Sequence, residues 1–397
     1  MDANAQTARA EFYRDTLLND VLPFWIRHGV DHNHGGFRTS LDQDGTVIDP
    51  DKGIWQQGRF TWLLGELYNN VEPRDEWLTL AQHGSRYIID HGFDPSDGRM
   101  WFQVNQTGVP VRKRRYAFSE SFAAIAFGEL AQATNDERCA DLARKTFRKF
   151  VDHNLCSAST NQKYTEARPM KGLGFPMICI VTAQELRASI GLEDADEWID
   201  RAIDEIQRDF MKPDLRCVME TVGLQGEVLD CYEGRTLNPG HAIEGAWFIL
   251  REAARKNDEA LIRTGCDMLD WMWERGWDDE FGGLLYFADV HGRPVQEYWH
   301  DMKFWWPHCE LIIACLWAWK LTGQPRFLKR YEAAHRWAFD HFPDAAHGEW
   351  FGYLHRDGRV SSRAKGNTWK GPFHLPRMLL TCWQLLQTDL DHAQYRG

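Results

Sequence analysis

Apolar residues recur at helical spacing through most of the chain. This pattern predicts helices over 7–27, 54–72, 75–91, 116–134, 136–154, 169–190, 193–210, 239–255, 258–276, 304–322, 325–341 and 371–388. The twelve fall into pairs, several joined by short polar loops such as Thr322-Gly323-Gln324-Pro325. Between pairs the pattern changes to an aromatic, strand-like run, a polar turn with glycine and a second short run. Asp97-Gly98-Arg99-Met100-Trp101-Phe102 leading to Thr107-Gly108-Val109 is one example, and Gly348-Glu349-Trp350-Phe351-Gly352-Tyr353 leading to Asp357-Gly358-Arg359-Val360 is another. Each such segment reads as a β-hairpin.

The turn glycines are residues 45, 108, 226, 292 and 358, separated by 63, 118, 66 and 66 positions. The long gap is close to two periods, which puts a degraded hairpin near Thr165. Six units of roughly 60–66 residues result, and repetition of this kind fixes an architecture. The expected fold is all-α: an (α/α)6 barrel of six helical hairpins with short β-hairpins at one end, as a single domain over 1–397. The first helix would be outer. The helix after each β-hairpin would be inner, as the apolar runs Phe122–Phe127 and Leu311–Trp317 suggest. An unclosed solenoid is the alternative.

Closure would bring six inner-helix N-termini to one mouth. They carry Trp55 and Arg59; Tyr116 and Glu120; Arg168 and Lys171; His241 and Glu244; Trp305, Trp306 and Glu310; and Trp369, His374 and Arg377. Capping makes helix starts polar but does not call for Trp, Arg or His, so the coincidence points to a pocket. In Asn238-Pro239-Gly240-His241 the asparagine is a cap and the proline suits the first helical position. The positive end of the helix dipole disfavours an imidazolium at His241, leaving a neutral imidazole fit to be a general base. Glu244, one turn on, could fix its tautomer. The plainer reading is a buried histidine satisfied by a loop carbonyl.

Composition narrows the partner. A formal charge of −12, from 46 basic and 58 acidic residues, argues against nucleic acid and anionic membranes. No apolar run nears 18 residues and no signal peptide is recognisable. Nine scattered cysteines without CxxC or zinc spacing suggest reduced thiols and the cytoplasm. The 19 tryptophans suit a sugar, whose C–H face packs on an indole, although a large helical core also uses them as filler. There is no HExxH, acidic DxDxDG loop, Walker loop or GxSxG elbow.

Three segments carry a more specific likeness: Arg168-Pro169-Met170-Lys171-Gly172-Leu173; Asn238-Pro239-Gly240-His241 with Glu244 and Trp247-Phe248; and Trp369-Lys370-Gly371-Pro372-Phe373-His374-Leu375-Pro376-Arg377. Through them the chain resembles the N-acylglucosamine 2-epimerase family. The resemblance implies an (α/α)6 barrel that inverts a sugar at C2 without a consumed cofactor, ATP or another nucleotide acting as activator. It implies His241 and His374 as the acid/base pair, Arg59 as the pocket arginine, and Glu244 and Glu310 as inner-helix carboxylates.

On this reading the opened sugar loses its C2 proton to one histidine, forms an enediolate and regains a proton on the opposite face from the other. Glu244 would orient His241, Arg59 with Lys171 would hold the O1 charge, and Tyr116, Trp305, Trp306 and Trp369 would pack on the sugar, with Arg377 also in the substrate pocket. Relatives acting on cellobiose or isomerising free aldoses carry a third histidine where this chain has Lys171, which favours N-acetylglucosamine and N-acetylmannosamine. Epimerisation or isomerisation of free mannose, glucose or cellobiose is the alternative. A glycoside hydrolase using Glu120, Glu244 or Glu310 is a more distant one. The loops around Lys171 and Lys370 are the places considered for a nucleotide, and the family implies a homodimer.

Overall fold

A computed structural model describes residues 1–114, 116–155 and 163–388. Its long helices follow the predicted periodicity. They are α1 (Ala3–Thr16, running on through a π-turn at Leu17–Val21 into Leu22–Gly29), α2 (Ile54–Asn70), α3 (Asp75–His91), α4 (Phe118–Thr134), α5 (Glu137–Leu155) and α6 (Gly174–Ile190). Then come α7 (Ala195–Glu205, with a π-turn at Ile206–Phe210), α8 (Pro239–Lys256), α9 (Glu259–Gly276), α10 (Trp305–Thr322), α11 (Pro325–His341) and α12 (His374–Gln387). A single helical turn, Tyr232–Arg235, precedes α8 and was not expected.

The even-numbered helices form the inner ring and the odd-numbered ones the outer ring of an (α/α)6 barrel. Burial shows the difference. In α10 every residue from Trp305 to Ala318 is buried, whereas α3 buries Trp77, Leu80, Ala81, Gly84, Ser85, Tyr87 and Ile88, one face at helical spacing. The ring closes where α12 packs on α1 and α10. Phe373 also meets Trp62 of α2 at 5.4 Å, and Gln56 Nε2 donates to the Trp369 carbonyl at 2.9 Å.

Two helix starts lie three or more residues later than predicted. Residues 169–173 and 371–373 are not helical. Met170–Gly172 is instead a strand paired with Thr221–Gly223.

All five turn glycines adopt positive φ, from +71° to +88°. Three of the turns close complete hairpins: Ser40–Leu41 on Val47–Asp49, Gln103–Val104 on Pro110–Arg112, and Tyr353–Leu354 on Val360–Ser362. The turns at Gly226 and Gly292 do not. The chain after Gly292 meets Pro294, which has no N–H for a ladder, and the chain after Gly226 runs into the Tyr232–Arg235 turn. Near Thr165 there is a turn, Arg168 N–H to Thr165 O, while residues 156–162 lie outside those described.

Strands stitch neighbouring repeats. Lys52–Gly53, Met170–Gly172, Thr236–Leu237 and Lys303–Phe304 each precede an inner helix and pair with a strand of the following repeat. A recurring ion pair reinforces them. Asp31, Asp94, Asp278 and Asp344 each cap a tight turn with one carboxylate oxygen and hold Lys52, Lys113, Lys303 and Lys365 at 2.8, 2.8, 2.9 and 3.0 Å. Asp209 also holds Lys171, at 2.5 Å, but its other oxygen accepts Arg208 Nε rather than capping a turn. No described helix is long and apolar enough to cross a membrane.

Candidate active site

The inner-helix starts surround a cleft of about 2350 Å³ that reaches down the barrel axis. Arg59, Tyr116, Lys171, His241, Glu244, Trp305, Trp306, Trp369, His374 and Arg377 all line it.

His241 stands in the first turn of α8, where Asn238 accepts its backbone N–H at 3.2 Å and Pro239 opens the helix, as the sequence indicated. Its carboxylate partner is different from the one expected. Nδ1 lies 3.0 and 3.1 Å from the two oxygens of Glu220, a residue between the strands Cys217–Val218 and Thr221–Gly223. A carboxylate only accepts, so Nδ1 carries the proton and Nε2 is left for the cleft. Burial pushes this imidazole down, but Glu220, aided by Glu244 and Glu310, outweighs it and holds the pKa above its ordinary value. The helix dipole therefore does not decide the protonation of His241.

Glu244 does not touch His241. It takes Arg377 Nη2 at 2.5 Å, and the same nitrogen lies 2.8 Å from Glu310 Oε1. Glu310 Oε1 also meets His374 Nδ1 at 2.7 Å, and its Oε2 accepts Trp247 Nε1 at 2.8 Å. Glu310 thus does for His374 what Glu220 does for His241. Burial drives the His374 pKa well below its ordinary value, and the cations Arg59 and Arg377 push the same way against Glu244. At neutral pH His374 is the neutral imidazole of the pair. Donor atoms of Glu244, Glu310 and His374 lie close enough together for a metal, but the Arg377 guanidinium already supplies the positive charge between the two carboxylates.

One indole joins the two histidines. Trp306 packs 5.0 Å from the His241 ring and 5.6 Å from the His374 ring, tilted 34° and 40°. Trp305 lies 6.2 Å from His374, and its buried Nε1 has no hydrogen-bond partner among the described residues. Trp369, 43% exposed, and Tyr116 form the rim with Arg114, whose guanidinium lies over both rings. Arg59 is buried against aromatic faces, 4.1 Å from the Phe122 centroid and 4.7 Å from Phe373, with Nε unpartnered. Burial pushes its pKa down to about 9, which leaves a cation at neutral pH. A buried, unpaired guanidinium and an unpaired indole N–H facing one cleft suit an oxygen-rich ligand.

Two lysines do not serve as the sequence suggested. Lys171 Nζ is bound to Glu205 at 2.9 Å and Asp209 at 2.5 Å, and so does not point a free charge at the cleft. Lys370 is fully buried and paired with Glu349, out of reach of a nucleotide. Glu120, the remaining acidic candidate, is likewise tied to Arg99 Nε and the Met100 N–H, each at 2.8 Å. Glu220 was the residue missed. Its only sequence signal is an acidic side chain beside a predicted turn.

Known proteins share this sequence pattern and fold. The family model for N-acylglucosamine 2-epimerase (GlcNAc 2-epimerase) matches residues 35–374. The N-acylglucosamine 2-epimerase of Bos taurus is 35% identical, covering 98% of this chain and 94% of its own. The cellobiose 2-epimerase of Bacteroides fragilis is 24% identical over 93% of this chain and 96% of its own. The solved cellobiose 2-epimerase of Bacillus thermoamylovorans B4167 superposes with a TM-score of 0.82 at 20% identity, covering 94% of this chain and 98% of that one. A full-length barrel with paired imidazoles at its mouth and these sequence matches together establish that the chain belongs to the N-acylglucosamine 2-epimerase family, and is a carbohydrate 2-epimerase.

Proposed function

We propose that the protein interconverts N-acetyl-D-glucosamine and N-acetyl-D-mannosamine by exchanging the proton on C2. The observation that supports this is the pair His241 and His374, packed on the same indole in one cleft with each Nδ1 held by a carboxylate.

The C2 hydrogen is acidic only beside a carbonyl, so the ring opens to the aldehyde first. In one direction neutral His374 takes the C2 proton on Nε2, the C–H electron pair forms the C1=C2 double bond and the carbonyl pair moves onto O1, giving a 2-acetamido enolate. His241, drawn towards the imidazolium, returns a proton from its own Nε2 to the other face of C2. The roles exchange in reverse. Arg59 meets the O1 charge of the enolate as a preorganised cation in an aromatic wall. Glu220 and Glu310 hold the two tautomers, and Trp305, Trp306, Trp369 and Tyr116 face the carbon skeleton.

The N-acyl substrate is favoured because the bovine relative is named for it and because position 171 holds a clasped lysine rather than a histidine. Hydrolysis is disfavoured because Glu120, Glu244 and Glu310 are each paired with a guanidinium, leaving none as a proton-carrying acid. A nucleotide as non-consumed activator and a homodimer belong to the same reading.

Proton NMR with N-acetylglucosamine, mannose and cellobiose as separate substrates, with and without ATP, tests it. Appearance of N-acetylmannosamine at least tenfold faster than turnover of the other two is the expected result. Preferential turnover of mannose or cellobiose would assign the chain to the free-sugar alternative.

A further inference from the structure

Two carboxylates approach the reactive imidazoles through Nδ1, and they come from different parts of the fold. Glu310 is on an inner helix beside His374, whereas Glu220 stands on a linker between two strands. That linker is held on both sides. The Glu220 N–H donates to Thr236 O at 3.4 Å, in the strand leading to α8, and its carbonyl accepts Leu173 N–H at 3.0 Å, at the start of α6. The backbone of Glu220 is therefore fixed against the helix that carries His241.

The contacts define the tautomer. Nδ1 of His241 faces both Glu220 oxygens and, at 3.0 Å, Asn238 Nδ2. An unprotonated Nδ1 would set a lone pair against two carboxylate oxygens. A protonated one donates to them, and the carboxylate's charge outweighs the neutral amide. No other carboxylate can take this place, since Glu244 is engaged by Arg377 and Glu310 by Arg377, Trp247 and His374.

We propose that Glu220 is a positioning residue for the epimerisation, holding His241 with its proton on Nδ1 so that Nε2 exchanges the proton at C2. This rests on the two-base reading above. The pair of histidines works with one proton between them: one imidazole receives and the other gives. Each imidazole has a carboxylate on Nδ1, Glu220 for His241 and Glu310 for His374, but burial and the cations Arg59 and Arg377 hold the His374 pKa down against Glu244, so the proton resides on His241. Lys163 lies within electrostatic reach of Glu220. The alkaline limb of kcat/KM, where the shared proton is lost, therefore reports His241 in both directions. Removing the Glu220 charge lowers the proton affinity of His241, so the limb moves to lower pH.

The test combines E220Q with nitrogen NMR of protein labelled with 15N-histidine. In the wild type, the neutral form of His241 is expected to show Nδ1–H and a bare Nε2. In E220Q the His241 titration moves to lower pH, kcat falls by about 100-fold, the low end of a positioned acid/base contribution, KM changes less than kcat, and the alkaline limb moves with the titration. A wild-type His241 protonated on Nε2, or an E220Q enzyme with the wild-type His241 titration and alkaline limb, would overturn the proposal. A purely structural Glu220 would reduce kcat and thermal stability while leaving the limb in place, which also overturns it. Should no sugar be turned over, the function assigned above fails, yet the nitrogen spectra still decide the role of Glu220. The wild-type tautomer decides it even if E220Q does not fold.

Discussion

Glu310 Oε1 stands 2.7 Å from His374 Nδ1 and ties the second turn of α10 to the first residue of the neighbouring inner helix α12. The same carboxylate receives Arg377 and Trp247, so its full charge is used inside the barrel. Glu310→Gln keeps the shape and removes that charge. It also sets an amide N–H against groups that need an acceptor. The expected result is a loss of kcat of about 100-fold or more and a stability loss of about 1–3 kcal/mol from an imperfectly paired buried site. Steady-state kinetics and thermal unfolding measure the two effects.

His241→Ala and His374→Ala are each expected to abolish epimerisation with the circular dichroism spectrum unchanged. Near wild-type turnover in either variant would refute two-base inversion. Product formed in D2O should carry deuterium at C2, since the proton lost and the proton gained come from different imidazoles. Product with an unlabelled C2 would point to a route that retains the hydrogen, such as hydride transfer.

Arg59 stacks on Phe122 and Phe373 with no carboxylate hydrogen-bonded to it among the described residues. Burial of such a cation costs stability, and its lowered pKa expresses that cost. Arg59→Met should therefore reduce kcat by about 100- to 1000-fold, as removal of a preorganised oxyanion partner does, while leaving the melting temperature equal or higher. A joint fall in activity and stability would instead make Arg59 a structural residue.

The fold was legible because each repeat advertises itself. Helical periodicity marks the rods, and five glycines at positive φ mark the turns. His241 and His374 were legible from short motifs with a proline at or near a helix start. Glu220 was not, because its link to His241 spans 21 positions and two elements, and no local spacing rule encodes it. The ion pairs of Lys171 were hidden for a related reason. Read alone it is a pocket cation, and only the recurrence of lysine–aspartate pairs in three dimensions shows it to be a clasp. The late start at Gly174 reflects the pairing of Met170–Gly172 with Thr221–Gly223, about 50 positions on, which no local pattern encodes.

The clasp reading separates two lysines that look alike in sequence. Lys171 keeps 23% of its side chain exposed, so Lys171→Met should cost about 1 kcal/mol and leave kcat within a few-fold of the wild type. Lys303, with no exposure and Asp278 at 2.9 Å, is the buried version. Lys303→Met leaves Asp278 with Arg356 alone and should cost about 3 kcal/mol or more. Chemical denaturation of both variants measures the difference. A large kcat loss in Lys171→Met would return that residue to the substrate pocket.

Deeper in the cleft, Glu66, Glu129 and Glu185 on α2, α4 and α6 bring their oxygens within 4.8 Å of one another, with Arg251 against Glu185 at 2.5 Å. Three carboxylates beside this guanidinium cannot all ionise cheaply. Burial first, and then Glu185, raises Glu66 to about 7. Burial, Glu66 and Glu185 raise Glu129 well above its ordinary value. A carboxyl whose folded pKa lies above its unfolded one stabilises the fold most below the unfolded value, near pH 4.5, and loses that contribution as pH rises through the folded value. The protein should therefore lose stability between about pH 5 and pH 8 through this layer. Glu129→Gln mimics the protonated form, and Asn69 can still donate to its side-chain oxygen. It should raise the melting temperature at pH 8, change it little at pH 5 and flatten the slope between them. A melting temperature lowered equally at both pH values would mean that Glu129 is ionised in the folded protein and that the layer is held by charge rather than by a shared proton.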